Sequence, residues 1–230
     1  MVFPKIPSHT GPVELLRPSD KRSLIYVADP LCAWSYGFGP SILKLKSKYE
    51  DKIDFSLVLG GLKYGVDVES FIPEMTDRLR YLWKEVERVS GRKFQYEILN
   101  REDLIFDSEP ACRAVITAQR LAPTLAFEYL DSLSFSFHAG GKDPTDLNTF
   151  LSVASDLSIN ESDFEELYQR EETSLETKTD FNYGFLLGVT GFPTLVFSDG
   201  LERGILTKGF LPYEEVESIF TDYFRSIGQF

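Results

Sequence analysis

Strand-like sequence is confined to the two ends of this chain, and that confinement is the strongest constraint on its fold. Ser23-Leu24-Ile25-Tyr26-Val27-Ala28 is short, apolar and partly β-branched or aromatic, which reads as a buried strand. Asp29-Pro30 closes it. A helical stretch from about Trp34 to Tyr49 follows, with Ile42, Leu43 and Leu45 on an apolar side and Lys44, Lys46 and Lys48 on a wet one. Ile53 to Leu59 is a second strand, closed by Gly60-Gly61. A strand, a helix and a strand joined by short loops make a βαβ unit, which favours a parallel pair with a right-handed crossover.

From about Asp67 to Arg170 helical patterns replace strand signal almost entirely. Phe71, Met75, Leu79, Leu82, Val86 and Val89 recur at helical spacing, and Ser90-Gly91 ends the run. Asp107-Ser108-Glu109-Pro110 reads as a helix start, with a capping residue and a proline near the first turn. Further helices are expected from Thr124 to His138, from Asp143-Pro144 to about Leu157, and from Glu161 to Gln169. Another from Leu175 to Leu187 leads into Gly188-Val189-Thr190-Gly191-Phe192-Pro193. Strand signal then returns at Thr194 to Phe197 and Ile205 to Thr207, with a hairpin turn at Ser198-Asp199-Gly200. An amphipathic helix over Tyr213 to Phe224 closes the pattern. The expected α/β architecture places residues 22–66 and 171–230 in one sheet-containing domain and 67–170 in an inserted helical domain. Residues 1–21 read as an extended, proline-interrupted lead-in.

Composition narrows the partners. The chain has 230 residues, 43% of them hydrophobic, enough for a sizeable core without staples. Lys and Arg number 24 against 36 Asp and Glu, a net charge of −12. That balance argues against nucleic acid and anionic membrane partners, because phosphate binding needs clustered positive charge. No secretory signal or membrane-length apolar run is visible, so a cytoplasmic protein is expected. The two cysteines, Cys32 and Cys112, do not make a disulfide scaffold. Together with the two histidines, His9 and His138, none closely spaced, they make no metal site.

Cys32 carries the chemistry. In Asp29-Pro30-Leu31-Cys32-Ala33-Trp34-Ser35-Tyr36-Gly37 it sits between a strand end and a helix start. Unsatisfied N–H groups at a helix N-terminus stabilise an anion, so a thiolate there is expected to have a lowered pKa and to be nucleophilic. Gly191-Phe192-Pro193-Thr194 places a proline at a strand start, where it is awkward and where X–Pro bonds can be cis. A cis proline would expose the preceding backbone N–H and C=O to an extended peptide. Cys112 reads first as a packed helix cysteine and second as a candidate second thiol. His138, at an expected helix end, reads as a cation favoured by the helix dipole. The Glu165-Glu166 and Glu171-Glu172 pairs read as solvated faces.

Taken together, these segments resemble the DsbA-like branch of the thioredoxin superfamily, and within it the FrnE-like disulfide isomerases. Those chains show D-P-x-C-x-W-C-[WY]-G-F, E-P-A-C-R-A and G-F-P-T. Here Asp29 to Phe38, Glu109-Pro110-Ala111-Cys112-Arg113-Ala114 and Gly191-Phe192-Pro193-Thr194 stand in the same order, and Gly60-Gly61-Leu62 is similar to the family's loop after the second strand. The resemblance implies a thioredoxin-like fold with an inserted helical domain. It implies Cys32 and Ser35 as catalytic positions, with Trp34, Tyr36, Phe192 and Pro193 contacting substrate.

One position departs from the pattern. The family's second active-site cysteine is Ser35 here, and a hydroxyl forms no disulfide. Monothiol exchange remains: Cys32 attacks a disulfide, and the mixed disulfide is released by glutathione or a protein thiol. That reading needs no bound cofactor, with glutathione at most a co-substrate, and protein or peptide thiols and disulfides as partners. An alternative is a kappa-class-like glutathione transferase or a hydroxychromene-carboxylate-type isomerase, in which a serine in this region activates glutathione. A third reading is a non-catalytic module holding extended peptides beside Pro193.

Overall fold

A computed structural model describes residues 22–199 and 202–228; the expected lead-in over residues 1–21 lies outside them. Strand β1 is Ser23–Ala28, helix α1 Ala33–Tyr49 and strand β2 Asp54–Leu59. At the other end come strands β5 (Thr194–Ser198) and β6 (Arg203–Lys208) and helix α8 (Tyr213–Ser226). The four strands form one sheet in the order β2-β1-β5-β6. β1 runs parallel to β2, from Ser23 opposite Asp54 to Ala28 opposite Leu59, and antiparallel to β5. β5 and β6 are antiparallel, with a register shift at Leu195/Val196. Gly200 of the expected hairpin turn lies outside the described residues, but Asp199 and Glu202 close it: the Asp199 amide donates to the Glu202 carbonyl at 3.1 Å and the Glu202 amide to Asp199 Oδ1 at 2.7 Å.

Every residue of β1 is buried, because a central strand is covered on both faces. Its side chains alternate between two cores, as a pleated strand requires. Leu24, Tyr26 and Ala28 join the larger core with α1, α8 and the intervening helices; Ile25 and Val27 join Val58, Tyr183, Leu187, Val189 and Val196 on the opposite face.

Between β2 and β5 lie helices α2 (Pro73–Ser90), α3 (Ser108–Leu121), α4 (Ala126–His138), α5 (Leu147–Asp156), α6 (Glu161–Tyr168) and α7 (Glu171–Leu186). This segment also holds two strands that the sequence reading missed: β3 (Glu69–Ser70) and β4 (Ile105–Phe106) pair antiparallel. A ladder of two residues per strand is too short to carry a period. Helix α5 starts later than expected. Asp143 accepts from the Thr145 amide at 2.9 Å in a turn of its own, and Asp146 caps the helix by accepting from the Asn148 amide at 3.0 Å. Trp83, Phe106, Cys112, Phe137 and Phe150 belong to the same core cluster as Tyr26 and Phe38, so α2 to α5 pack continuously onto the α1 face of the sheet, while Tyr183 of α7 lies in the cluster on the opposite face.

Candidate active site

Cys32 is the N-cap residue of α1, with extended backbone angles (φ −79°, ψ 114°). Its amide donates to the Asp29 carbonyl at 3.1 Å, and the Tyr36 amide donates to its carbonyl at 2.9 Å, the first turn of the helix. The β1–α1 connection is therefore a tight turn ending on the thiol. The loop before β5 reaches the same place. The Phe192–Pro193 bond is cis, and the Cys32 thiol donates to the Phe192 carbonyl at 3.5 Å. Phe192 is half-buried and Pro193 buried, and the Phe192 ring lies over Gly60. A Cβ added at Gly60 would stand 2.0 Å from Phe192 Cε1.

The electrostatics overturn one expectation. Cys32 is only 6% exposed, and burial pushes its thiol up to about 11 rather than below the free value. The N–H groups of Trp34 and Ser35 and the Ser35 hydroxyl pull the other way, but the sulfur forms no capping hydrogen bond of full geometry. The charge of Asp29 adds to the upward push. A helix N-terminus favours a thiolate only as far as its donors reach the sulfur; here desolvation outweighs them, and the thiol is protonated at rest.

Ser35 is 4% exposed and sits under the turn. Its hydroxyl accepts from the Asp29 amide at 3.5 Å, and its carbonyl accepts from the Tyr26 hydroxyl at 3.5 Å. Trp34 is half-buried at the site's edge, its ring 6.1 Å from Phe210. Tyr36 is turned inward instead of toward substrate: it is 2% exposed, and its hydroxyl donates to the Lys93 carbonyl at 3.0 Å.

The run Tyr36-Gly37-Phe38-Gly39-Pro40 adds a clamp at the same residue. Pro40, inside α1, has no N–H to offer the carbonyl one turn back, which is Tyr36's. Arg92 fills that vacancy, donating to the Tyr36 carbonyl at 3.1 Å while its guanidinium lies 3.9 Å from the Tyr36 ring centroid. The same guanidinium pairs with Asp131 of α4. Only glycine fits at position 39, where a Cβ would stand 1.9 Å from Asp131 Oδ1. The active-site helix is thus clamped to α4 one turn beyond Cys32.

One site residue was given no role by the sequence reading. Asp29 appeared there as a strand stop and a motif position, yet its carboxyl is fully buried. It accepts from the Leu31 amide at 2.8 Å and the Leu62 amide at 2.6 Å, tying the cysteine turn to the Gly60-Gly61-Leu62 loop. Burial holds its pKa above the usual carboxylate range. Cys112, fully buried in α3, donates to Asp29 Oδ2 at 3.7 Å, and burial pushes its thiol well up. His138 does end α4, but it is wholly buried. Burial pulls its pKa down to about 3, so it is neutral and not the cation expected at a helix end. Among the described residues no cluster of His, Cys, Asp and Glu could hold a metal ion.

A four-stranded sheet with a cysteine capping the helix after its central strand, faced by the proline loop before the antiparallel strand, defines a thioredoxin-type thiol site. The chain belongs to the thioredoxin family, whose model matches residues 25–218, and its fold is that of the DsbA-like branch, a group of thiol–disulfide oxidoreductases. It is similar to a candidate protein disulfide isomerase from Nitrosomonas europaea at 29% identity (TM-score 0.80, 90% of this chain and 100% of that one). The cytosolic disulfide reductase DsbM from Pseudomonas aeruginosa shares the fold at 19% identity (TM-score 0.72, 89% and 99%). A 2-hydroxychromene-2-carboxylate isomerase does so at 15% (TM-score 0.58, 90% and 97%). No curated protein matches the chain as a relative.

Proposed function

We propose that this protein is a monothiol disulfide-exchange enzyme acting through Cys32. The observation that carries this reading is the placement of the Cys32 thiol at the N-terminus of α1, against the Phe192 carbonyl, with a buried hydroxyl at Ser35 where a resolving thiol would stand. The Cys32 thiolate attacks one sulfur of a substrate disulfide. The substrate S–S bond breaks, a new one forms to Cys32, and the departing thiolate takes up the proton Cys32 gave. A second thiol, from glutathione or from the substrate itself, then attacks the substrate sulfur of the mixed disulfide, forms the new disulfide with it and expels Cys32, which takes up the incoming thiol's proton. No net oxidant is consumed, which suits shuffling of protein disulfides or removal of glutathione from them.

A glutathione structure exists for the DsbM fold relative, which supports glutathione as a co-substrate here. No helix of the described residues is long and apolar enough to cross a membrane; the cytosolic setting of this reading is supported by its fold relative DsbM, a cytosolic disulfide reductase. The transferase or isomerase reading asks Ser35 to orient a glutathione sulfur. Its burial and its bond to the Asp29 amide disfavour that. The test is intact mass after incubation with oxidised glutathione. One glutathione adduct, removed by reductant and abolished by Cys32→Ser, supports monothiol exchange; no adduct, with turnover of a model electrophile by reduced glutathione, favours the alternative.

A further inference from the structure

The Asp29 carboxyl gathers donors from separate parts of the chain. It is fully buried. Its Oδ1 accepts from the Leu31 amide at 2.8 Å, inside the turn that ends on Cys32. Its Oδ2 accepts from the Leu62 amide at 2.6 Å and from the Cys112 thiol at 3.7 Å. The backbone of Asp29 closes the same turn, its carbonyl accepting from the Cys32 amide at 3.1 Å. Leu62 follows Gly60-Gly61, and the Phe192 ring lies over Gly60. One carboxyl therefore joins the turn that presents the thiol to the loop that seats Phe192, whose carbonyl meets that thiol at 3.5 Å. Helix α3 is aimed at this junction. The Ser108 amide, in its first turn, donates to the Lys63 carbonyl at 2.8 Å, and the Lys63 amide donates to the Ser108 hydroxyl at 3.1 Å. Cys112 lies one turn further along the same face of α3. The exchange chemistry assigns it no task.

We infer that Cys112 is a positioning residue for the reaction at Cys32 and not a second redox thiol: its S–H holds Asp29 Oδ2, and through that carboxyl α3 keeps the Cys32 turn and the Gly60-Gly61-Leu62 loop in one register. The inference rests on the reading of Cys32 as the reacting thiol, though not on which disulfide it attacks. A thiol is a weak donor and a weak acceptor, so it serves Asp29 in either protonation state. Burial keeps the Cys112 proton on the sulfur, which suits a donor and not a nucleophile. The ionisable groups facing this pair are Cys32 of the turn and Asp180 of α7, whose carboxyl accepts from the Leu59 amide at 3.0 Å. Both are acids, so the Asp29 charge rests on hydrogen-bond donors. Packing alone would accept valine at 112, similar in volume but without a donor.

The test compares the wild type with Cys112→Val and Cys112→Ser. Carbon-13 NMR of the Asp29 carboxyl follows its titration without substrate, and intact mass follows adduct formation at Cys32 with oxidised glutathione, per folded molecule. Cys112→Val removes a donor from the charged form, so the Asp29 midpoint should rise by about half a pH unit. Adduct formation should slow severalfold. Cys112→Ser keeps a donor and should stay near the wild type in both readouts, the opposite of the order that packing in an apolar cluster would give. If Cys112→Val does not fold, Cys112→Ala, which also lacks a donor, should show the same shift. An unshifted Asp29 titration in the variant without a donor overturns the inference. So does Cys112→Ser behaving like Cys112→Val. So does a Cys32–Cys112 disulfide in the oxidised wild type, seen as the loss of two hydrogens in the intact mass. An unshifted titration alongside a normal wild-type adduct would sink this inference and leave the proposed function standing. A shifted titration with no wild-type adduct would sink the exchange reading and leave the Asp29–Cys112 coupling in place.

Discussion

The Cys32 thiol donates to the carbonyl of Phe192, 3.5 Å away and 160 residues distant in sequence. A thiol proton shared with a carbonyl oxygen favours the neutral form, since a thiolate would face that oxygen's negative end. The contact therefore acts in the same direction as burial, and against the helix N-terminus.

The first consequence is a pH profile. With the thiol near 11, the reactive thiolate is a small fraction at neutral pH. Alkylation of Cys32 should rise about tenfold per pH unit from pH 7 to 10 without levelling off. Cys112, fully buried and with its thiol pushed well up, should stay unlabelled in the folded protein. Peptide mapping of each labelled cysteine measures both. A plateau at Cys32 below pH 8.5 would show that the helix N-terminus wins after all.

Ser35→Cys tests the missing resolving thiol. Position 35 lies in the first turn of α1, directly after the capping Cys32, so a thiol there would be one turn from the nucleophile. The substitution also weakens the acceptor for the Asp29 amide, a loss of about 1 kcal/mol or less. The variant should gain insulin-reducing activity that the Ser35 protein lacks, and the gain should need Cys32 but not Cys112. Background dithiol activity together with reduced glutathione turnover would favour the transferase reading.

How much of this was legible before any coordinates depended on range. The β1–α1 turn, the strand return at Thr194 and the Phe192-Pro193 loop are written in local runs of apolar residues and proline, and the sheet is assembled from them. What a single segment cannot show is what covers it. Cys32 looked activated because its own helix was in view, but Phe192, whose carbonyl accepts from the thiol and whose ring lies over Gly60, comes from distant chain. His138 looked cationic at a helix end until Trp83, Phe94 and Tyr36 closed around it. Asp29 read as punctuation because its partners, Leu62 and Cys112, belong to other elements. The Tyr36 clamp rests on a feature that could have been read: Pro40 leaves the Tyr36 carbonyl free, although the residue that answers, Arg92, could not be named from sequence.

Gly60→Ala should damage function more than stability. The added methyl meets the Phe192 ring at 2.0 Å, and the half-buried ring can swing outward, shifting the carbonyl that faces Cys32. A displacement near 1 Å at a reacting centre costs on the order of a hundredfold in rate, whereas a tolerated surface rearrangement costs about 1 kcal/mol or less in stability. Exchange with oxidised glutathione and thermal melting, measured on the same preparation, separate the two. A melting temperature that collapses while the exchange rate per folded molecule is unchanged would mean that Phe192 seals the core and does not shape the site.

Asp29→Asn should change both the stability profile and the nucleophile. Burial raises the Asp29 pKa, so the folded state prefers the protonated acid. Its favourable contribution is complete below the unfolded carboxyl value and is lost as pH rises through the raised folded value, because ionising the buried group then costs stability. Asparagine cannot ionise and is free of that penalty. It is less good at low pH, since Leu31 and Leu62 each aim an N–H at a different carboxyl oxygen and one of them would meet the amide nitrogen. Melting temperatures should therefore favour the wild type near pH 4 and move toward the variant as pH climbs to 8. The Asp29 charge also raises the Cys32 pKa, so removing it should lower the midpoint of Cys32 alkylation and speed labelling at pH 7. A melting difference that stays constant from pH 4 to 8 would show that Asp29 ionises in the folded protein as it does in the unfolded chain, and would overturn the raised pKa.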